Sequence, residues 1–420
     1  TMTLDLDFRQ YTLNNGLNVI LQQNKKNPLI NLTLGYKVGS KNEKSGKKGI
    51  AHLFEHMMFQ GSENVDRSGH FKYVQNAGGL CNAFTMQDLT IYYETLPSSQ
   101  LETALWLESD RMNTLNISEE NLSNQKSVVI EEKKQRYDNS PYGTVNLNIY
   151  KNVFADTPYE SPVIGYENDI KSFSVSEAVE FHNKYYSPSN SVLILTGDFE
   201  ENTAIGLIEK YFGNIGNKNL PDDLKKFEIP EIKNTNTLFV EDKITLPAMY
   251  LCYKAPAYGS REEFPLEFAA SILANNKSSR LYKKLVYEKN LAKSVFIAPL
   301  LLKFGGVAYI KTLLYKESDF SEVEKIINEE IYNLYEKEIP EEEIQKIKNE
   351  VEFADVQSLT SIKAISLNLF LSDYYYGSPD FINKKIDSYM KITGKDIKKS
   401  LGDIFINKNC FKMYYIPEKK

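Results

Sequence analysis

A polar stretch without apolar periodicity, "GNKNLPDDLKKFEIPEIKNTNT" (Gly216–Thr237), divides the chain into two parts of similar length. With Pro221 and Pro230 inside it, this stretch reads as a linker. The same order of elements is expected on either side. Before it, Asn14-Asn15-Gly16 between alternating apolar runs marks a hairpin. "LINLTLGYKVGS" (Leu29–Ser40) is a third strand, with Ile30, Leu32 and Leu34 alternating with polar or small neighbours. A helical pattern runs through His52–Phe59, and "GGLCNAFTMQDLTIYYETLP" (Gly78–Pro97) reads as two strands with a polar turn around Thr85–Asp88. Helices near "SSQLETALWLESDRMNTL", "SEENLSNQKSVVIEEKKQRYDN" and "VSEAVEFHNKYY" follow, then the buried strand "SVLILTGDF" and the helix "NTAIGLIEKYFGNI". The second part restarts with strands "TLFVED" and "AMYLCYKAP" and helices from Pro265 to Lys289. Strands "KSVFIAPLL" and "GGVAYIKTLL" lead to a long charged helix at "SEVEKIINEEIYNLYEKEIP". Strands and helices fall in runs rather than strict alternation, which predicts an α+β fold. The repeated order suggests a duplication with little residue identity left.

At 420 residues the chain exceeds what one hydrophobic core usually supports. Its net charge of −6 is spread through mixed lysines and acids, which speaks against a nucleic-acid face. No apolar run approaches the roughly 18 residues needed to span a bilayer. The N-terminal "TMTLDLDFRQ" is acidic and lacks a charged-then-apolar leader, so a cytoplasmic protein is expected, an exported one with its signal removed being the alternative. Cys81, Cys252 and Cys410 are far apart with no CxxC pair, which argues for free thiols over a disulfide framework or a cysteine metal site.

The chain holds four histidines, and "GIAHLFEHMMFQGS" (Gly49–Ser62) contains two of them. Positions i and i+4 share a helix face, so His52 and His56 can aim their imidazoles at one point, where zinc is the suited ion. Glu55 stands three residues after His52 and need not be a ligand itself. H-x-x-E-H is the inverted form of the zinc-peptidase motif. A catalytic zinc takes three protein ligands and a water, so a third ligand must come from elsewhere. His70 lies in a polar, loop-like stretch and His182 on an amphipathic helix, and neither has a helpful context. "SVVIEEKKQR" offers Glu131 and Glu132, about 100° apart on a helix, and spacing does not choose between them.

"NGLNVIL", "VGSKNE", "GIAHLFEHMMFQGS", "AGGLCNAFT", "YYETLPS", "LESDRM", "QKSVVIEEKKQRYDNSPYG" and "VLILTGDF" stand in the order seen in M16 zinc peptidases. The chain resembles that family, which comprises the insulinase, pitrilysin and mitochondrial processing peptidase group, and most nearly its short bacterial single-chain members. The likeness is dense through Phe199 and thinner afterwards. It implies two duplicated domains of the LuxS/MPP-like metallohydrolase type, each a mainly antiparallel sheet packed with helices. These would be 1–215 with the zinc site, a linker at 216–237, and 238–420 without one. The family's third ligand lies in a V-V-x-x-E pattern, which selects Glu132, and its second-sphere acid is replaced here by Gln125. One Zn2+ per chain is implied, with Glu55 as general base for the attacking water. Substrate would add as a strand to the edge "CNAF", where Asn82, Ala83 and Phe84 sit. Cys81 beside this edge suggests sensitivity to thiol modifiers.

One departure bears on partners. Complete family assemblies carry an Arg and, seven residues on, a Tyr in the later half; here Val286 and Lys293 occupy those places. Arg280 and Tyr282 lie nearby at the wrong spacing. The second-half helix "PLEFAASILA" reads as apolar and metal-free. These features point to a zinc endopeptidase acting on extended peptides or leader segments inside a clam-shaped chamber, with a second M16-like subunit supplying the Arg/Tyr pair. A homodimer and a non-catalytic peptide-binding subunit are the alternatives. A structural zinc protein fits less well, because such sites usually close with four ligands.

Overall fold

Side chains alternate across each strand, and this sets two faces to cover. Val19 and Leu21 join one apolar core while Ile20 joins another; Met249 and Leu251 oppose Tyr250 and Cys252 in the same way. The computed structural model describes residues 5–218, 226–233 and 237–419. In chain order the first part contains β1 (Arg9–Thr12), β2 (Asn18–Gln23), β3 (Leu29–Tyr36), α1 (Ile50–Met57), α2 (Gly69–Asn76), β4 (Leu80–Thr85) and β5 (Thr90–Pro97). It continues with α3 (Leu101–Asn113), α4 (Glu119–Lys133), α5 (Val145–Val153), α6 (Glu167–Ser172), α7 (Val175–Tyr185), β6 (Ser191–Gly197) and α8 (Glu201–Phe212). The second part contains β7 (Thr237–Asp242), β8 (Ala248–Ala255), α9 (Glu263–Leu273), α10 (Arg280–Tyr282), β9 (Ala292–Leu302) and β10 (Gly305–Leu314). After these come α11 (Phe320–Glu336), α12 (Glu341–Ser358), α13 (Ile362–Tyr376), α14 (Phe381–Met390), α15 (Gly394–Ile404) and β11 (Phe411–Pro417).

The first sheet runs β1-β2-β6-β3-β5-β4 and the second β7-β11-β8-β10-β9. Each has one parallel pair, β2 with β6 and β7 with β11, and is otherwise antiparallel. The connectivity repeats where residue identity does not, so the duplication survives as topology. β4 and β9 are the corresponding free edges.

The two parts exchange covering helices. α13 of the second part lies on the first sheet, where Ile365, Leu369 and Phe370 pack against Ile20, Ile91 and Ile194. α5 of the first part lies on the second sheet, where Ile149 and Val153 pack against Tyr250 and Met413. Gly35 of β3 permits the first contact: a Cβ there would stand 2.1 Å from Phe370. Burial of a phenylalanine of this kind is worth about 1.5–3 kcal/mol. The expected linker falls partly, at 219–225 and 234–236, outside the described residues. Within 226–233, Ile229 and Ile232 are buried against the second sheet, so this part is packed rather than a free spacer.

Candidate metal centre

The start of α1 is fixed by close backbone approach. Gly49 has φ 101° and Gly165 φ 78°, and a Cβ on Gly165 would stand 2.4 Å from the Gly49 Cα. The buried Glu43 carboxylate accepts the Gly49 and Ala51 N–H groups at 3.0 and 2.9 Å, satisfying donors that a helix start leaves free. Ile50, Ala51, Leu53, Phe54 and Met57 take the core side of the helix. His52, Glu55 and His56 are thereby left together on the other side.

α4, started by the Ser118 hydroxyl accepting the Asn121 N–H, packs against α1 and delivers Glu132. Glu132 Oε2 stands 3.8 Å from His52 Nε2 and 3.4 Å from His56 Nε2. Ligands about 2.0–2.1 Å from a tetrahedral ion lie roughly 3.3–3.4 Å from one another, so these spacings suit the edges of a zinc coordination shell. The chemistry of the donors agrees. Burial, with His56 beside it, holds His52 down to about 4, so its imidazole is neutral at pH 7. The bond with His56 holds the Glu132 carboxyl below its usual value against the opposing effect of burial. Arg136 holds the other oxygen, Oε1, at 2.8 Å, leaving Oε2 free to face the histidines. Residues 134–138 form a π-turn, a local widening often found at functional sites. Glu131 points away and accepts from Gln135 Nε2 at 3.0 Å.

Glu55 lies beside this cluster, and its Oε2 accepts the Thr85 hydroxyl from the end of β4. Burial raises its carboxyl above the ordinary value, partly offset by that bond. Asn82, Ala83 and Phe84 lie on β4, the free edge of the first sheet. The Asn82 carboxamide oxygen accepts the Ala83 N–H at 2.8 Å, so it masks one donor of that edge. Gln125 is buried on α4, two turns before Glu132.

Several expectations change. His70 lies on a helix, α2, not in a loop, and it is buried with its Nε2 3.0 Å from Glu94. His182 Nε2 is 3.1 Å from the Arg111 carbonyl oxygen. Burial pushes the Cys81 thiol up to about 12, which removes the basis for expecting a modifier-sensitive thiolate. α9 is not wholly apolar, because Glu263 and Glu267 are bound by the hydroxyls of Tyr376 and Tyr389. Val286 is half-buried and Lys293 exposed, while Arg280 pairs with Glu343 at 3.2 Å. Arg136, Thr85 and Glu43 were not singled out from sequence. Arg136, one turn after Glu132, had the only local signal.

The sequence model described as insulinase (peptidase family M16) matches residues 18–167, and that described as the peptidase M16 inactive domain matches 172–351. The chain belongs to the M16 peptidase family. The zinc protease PqqE of Helicobacter pylori is 28% identical over 403 residues, covering 92% of this chain and 89% of that protein. A solved protease from Helicobacter pylori superposes with a TM-score of 0.91 at 26% identity, covering 98% of this chain and 100% of that one. The periplasmic protease PqqL of Escherichia coli has the same fold, with a TM-score of 0.80 at 17% identity over 99% of this chain and 48% of that one. No helix among the described residues is long and apolar enough to cross a membrane.

Proposed function

We propose that this chain is a zinc-dependent endopeptidase that cleaves peptides held in extended form. The observation that carries the reading is the convergence of His52, His56 and Glu132 on one point, with Glu55 beside it. His52, His56 and Glu132 would hold the zinc, which when bound supplies a Lewis acid and lowers the pKa of a water. Thr85 fixes Glu55 Oε2, so Oε1 is the atom that takes the proton of the attacking water and passes it to the leaving amine. The β4 edge would align the peptide through backbone hydrogen bonds, the masked Ala83 N–H being released as Asn82 turns to the substrate. Gln125 supports α4 behind Glu132 without adding charge.

The absence of an Arg/Tyr pair at Val286 and Lys293 favours a second M16-like chain that completes the chamber. PqqL supports this reading, since this chain spans about half its length. Glu55→Gln keeps the ligands and removes the base. Zinc content by elemental analysis is expected to stay at the wild-type level while cleavage of a quenched peptide falls by at least about a thousandfold. Substantial retained turnover sinks the assignment of Glu55. Wild-type turnover unchanged by any candidate partner sinks the two-chain reading.

A further inference from the structure

The turn that follows Thr85 is gripped by the second part of the chain. Three residues after Thr85, Asp88 is fully buried. Its Oδ1 accepts Lys41 Nζ at 2.9 Å and the Tyr159 hydroxyl at 2.6 Å; its Oδ2 accepts the Lys303 N–H at 2.9 Å and the Tyr375 hydroxyl at 3.1 Å. The Asp88 carbonyl accepts the Tyr374 hydroxyl at 3.1 Å. Lys303 lies between β9 and β10, and Tyr374 and Tyr375 end α13. From the other side, Ser40 and Lys41 donate their N–H groups to the Met86 and Gln87 carbonyls at 3.2 and 3.0 Å. Gly39 lies so close that a Cβ would stand 2.3 Å from the Met86 carbonyl oxygen. A surface hairpin turn needs no such anchorage. This one carries the hydroxyl that orients Glu55.

We propose that Asp88 is a positioning residue through which the second part of the chain sets Thr85 against Glu55. The inference rests on the peptidase reading above. On this account the second part, which has no cluster spaced to hold a metal among its described residues, contributes to catalysis by holding the β4–β5 turn. A carboxyl group taking four donors anchors a turn more firmly than backbone bonds alone, and each donor restricts the turn further.

Asp88→Asn strands the buried Lys41 ammonium and risks misfolding, so the test uses Tyr375→Phe, which removes one donor and keeps the ring. With zinc content and melting temperature followed in parallel, Tyr375→Phe is expected to lower kcat about threefold to tenfold with KM within about twofold. Thr85→Val is expected to lower kcat about tenfold or more. The double variant is expected to be no worse than Thr85→Val alone, because Tyr375 acts through Thr85. In the metal-free protein, hydrogen exchange at the 85–89 amides is expected to quicken in Tyr375→Phe. Multiplicative losses in the double variant, an effect on KM alone, or unchanged exchange overturns the inference. An inactive zinc-loaded wild type overturns the peptidase reading instead.

Discussion

Two clusters in the first part of the chain use the same residue types and come to opposite ends. His52, His56, Glu132 and Arg136 form one; His70, Glu94, Glu108 and Arg111 form the other, and among the described residues these are the two groups spaced to hold a metal ion. In the second cluster Arg111 sits between Phe59 and Tyr92, 4.7 and 4.6 Å from their ring centres, and takes both oxygens of Glu108. The positive charge is built into the chain and sealed. In the first, Arg136 remains 72% exposed and binds only one oxygen of Glu132. The other oxygen and two imidazoles face a point that no side-chain cation fills. A ligand set alone does not make a metal site; the placement of the arginine decides whether the cluster satisfies itself or waits for an ion.

The largest expected effect breaks the pair by metal content. His52→Ala or His56→Ala is expected to abolish stoichiometric zinc binding, whereas His70→Ala is expected to leave it unchanged. Zinc lost with His70→Ala from protein of native circular dichroism would erase the distinction. Next is stability. Arg111→Met leaves Glu108 buried without its cation and should cost about 3–5 kcal/mol in urea unfolding. Arg136→Met, at an exposed pair, should cost under about 1 kcal/mol. Equal losses would mean that both arginines are structural.

The first cluster was half legible in the sequence because its histidines are joined by one helical turn, a local relation. The choice between Glu131 and Glu132 was not, since it depends on how α4 docks on α1. The family pattern selected Glu132, the residue that the structure turns toward the histidines. The second cluster was missed. α2 has only eight residues, with Gly69, His70 and Val74 on its buried side, and nothing local to β5 says that Glu94 is fully buried against it. The unbroken apolar run of β6 announced burial on both faces, yet nothing local says that α13, more than 160 residues later, supplies one cover. Asp88 looked like an ordinary turn residue because partners such as Tyr159, Lys303 and Tyr375 are distant in sequence. Ile229 and Ile232 were hidden by the polar residues around them.

An effect smaller than the loss of Arg111 sharpens the comparison through pH. Burial raises the Glu94 carboxyl from its ordinary 4.5 to about 8 and lowers His70 from 6.5 to about 3. A carboxyl raised in this way is placed to donate its proton to His70 Nε2, 3.0 Å away. Between about 4.5 and 8 the folded state holds a Glu94 proton that the unfolded chain releases, so rising pH lowers stability. His70 acts in the opposite sense between about 3 and 6.5, where the unfolded chain holds the extra proton. The two oppose each other up to about 6.5, and above that Glu94 acts alone until about 8. Glu94→Gln keeps a donor toward His70 and removes the titration. Over the window from about 6.5 to 8, the wild type is expected to lose about 1–2 kcal/mol relative to Glu94→Gln, read from urea midpoints. Glu43 and Glu263, also raised by burial, titrate in both proteins and cancel from that difference. Parallel curves for the two proteins would mean that Glu94 is ionised throughout, sharing Arg111 with Glu108. The second cluster would then hold two carboxylates against one arginine, and its charge would not be sealed as its geometry suggests.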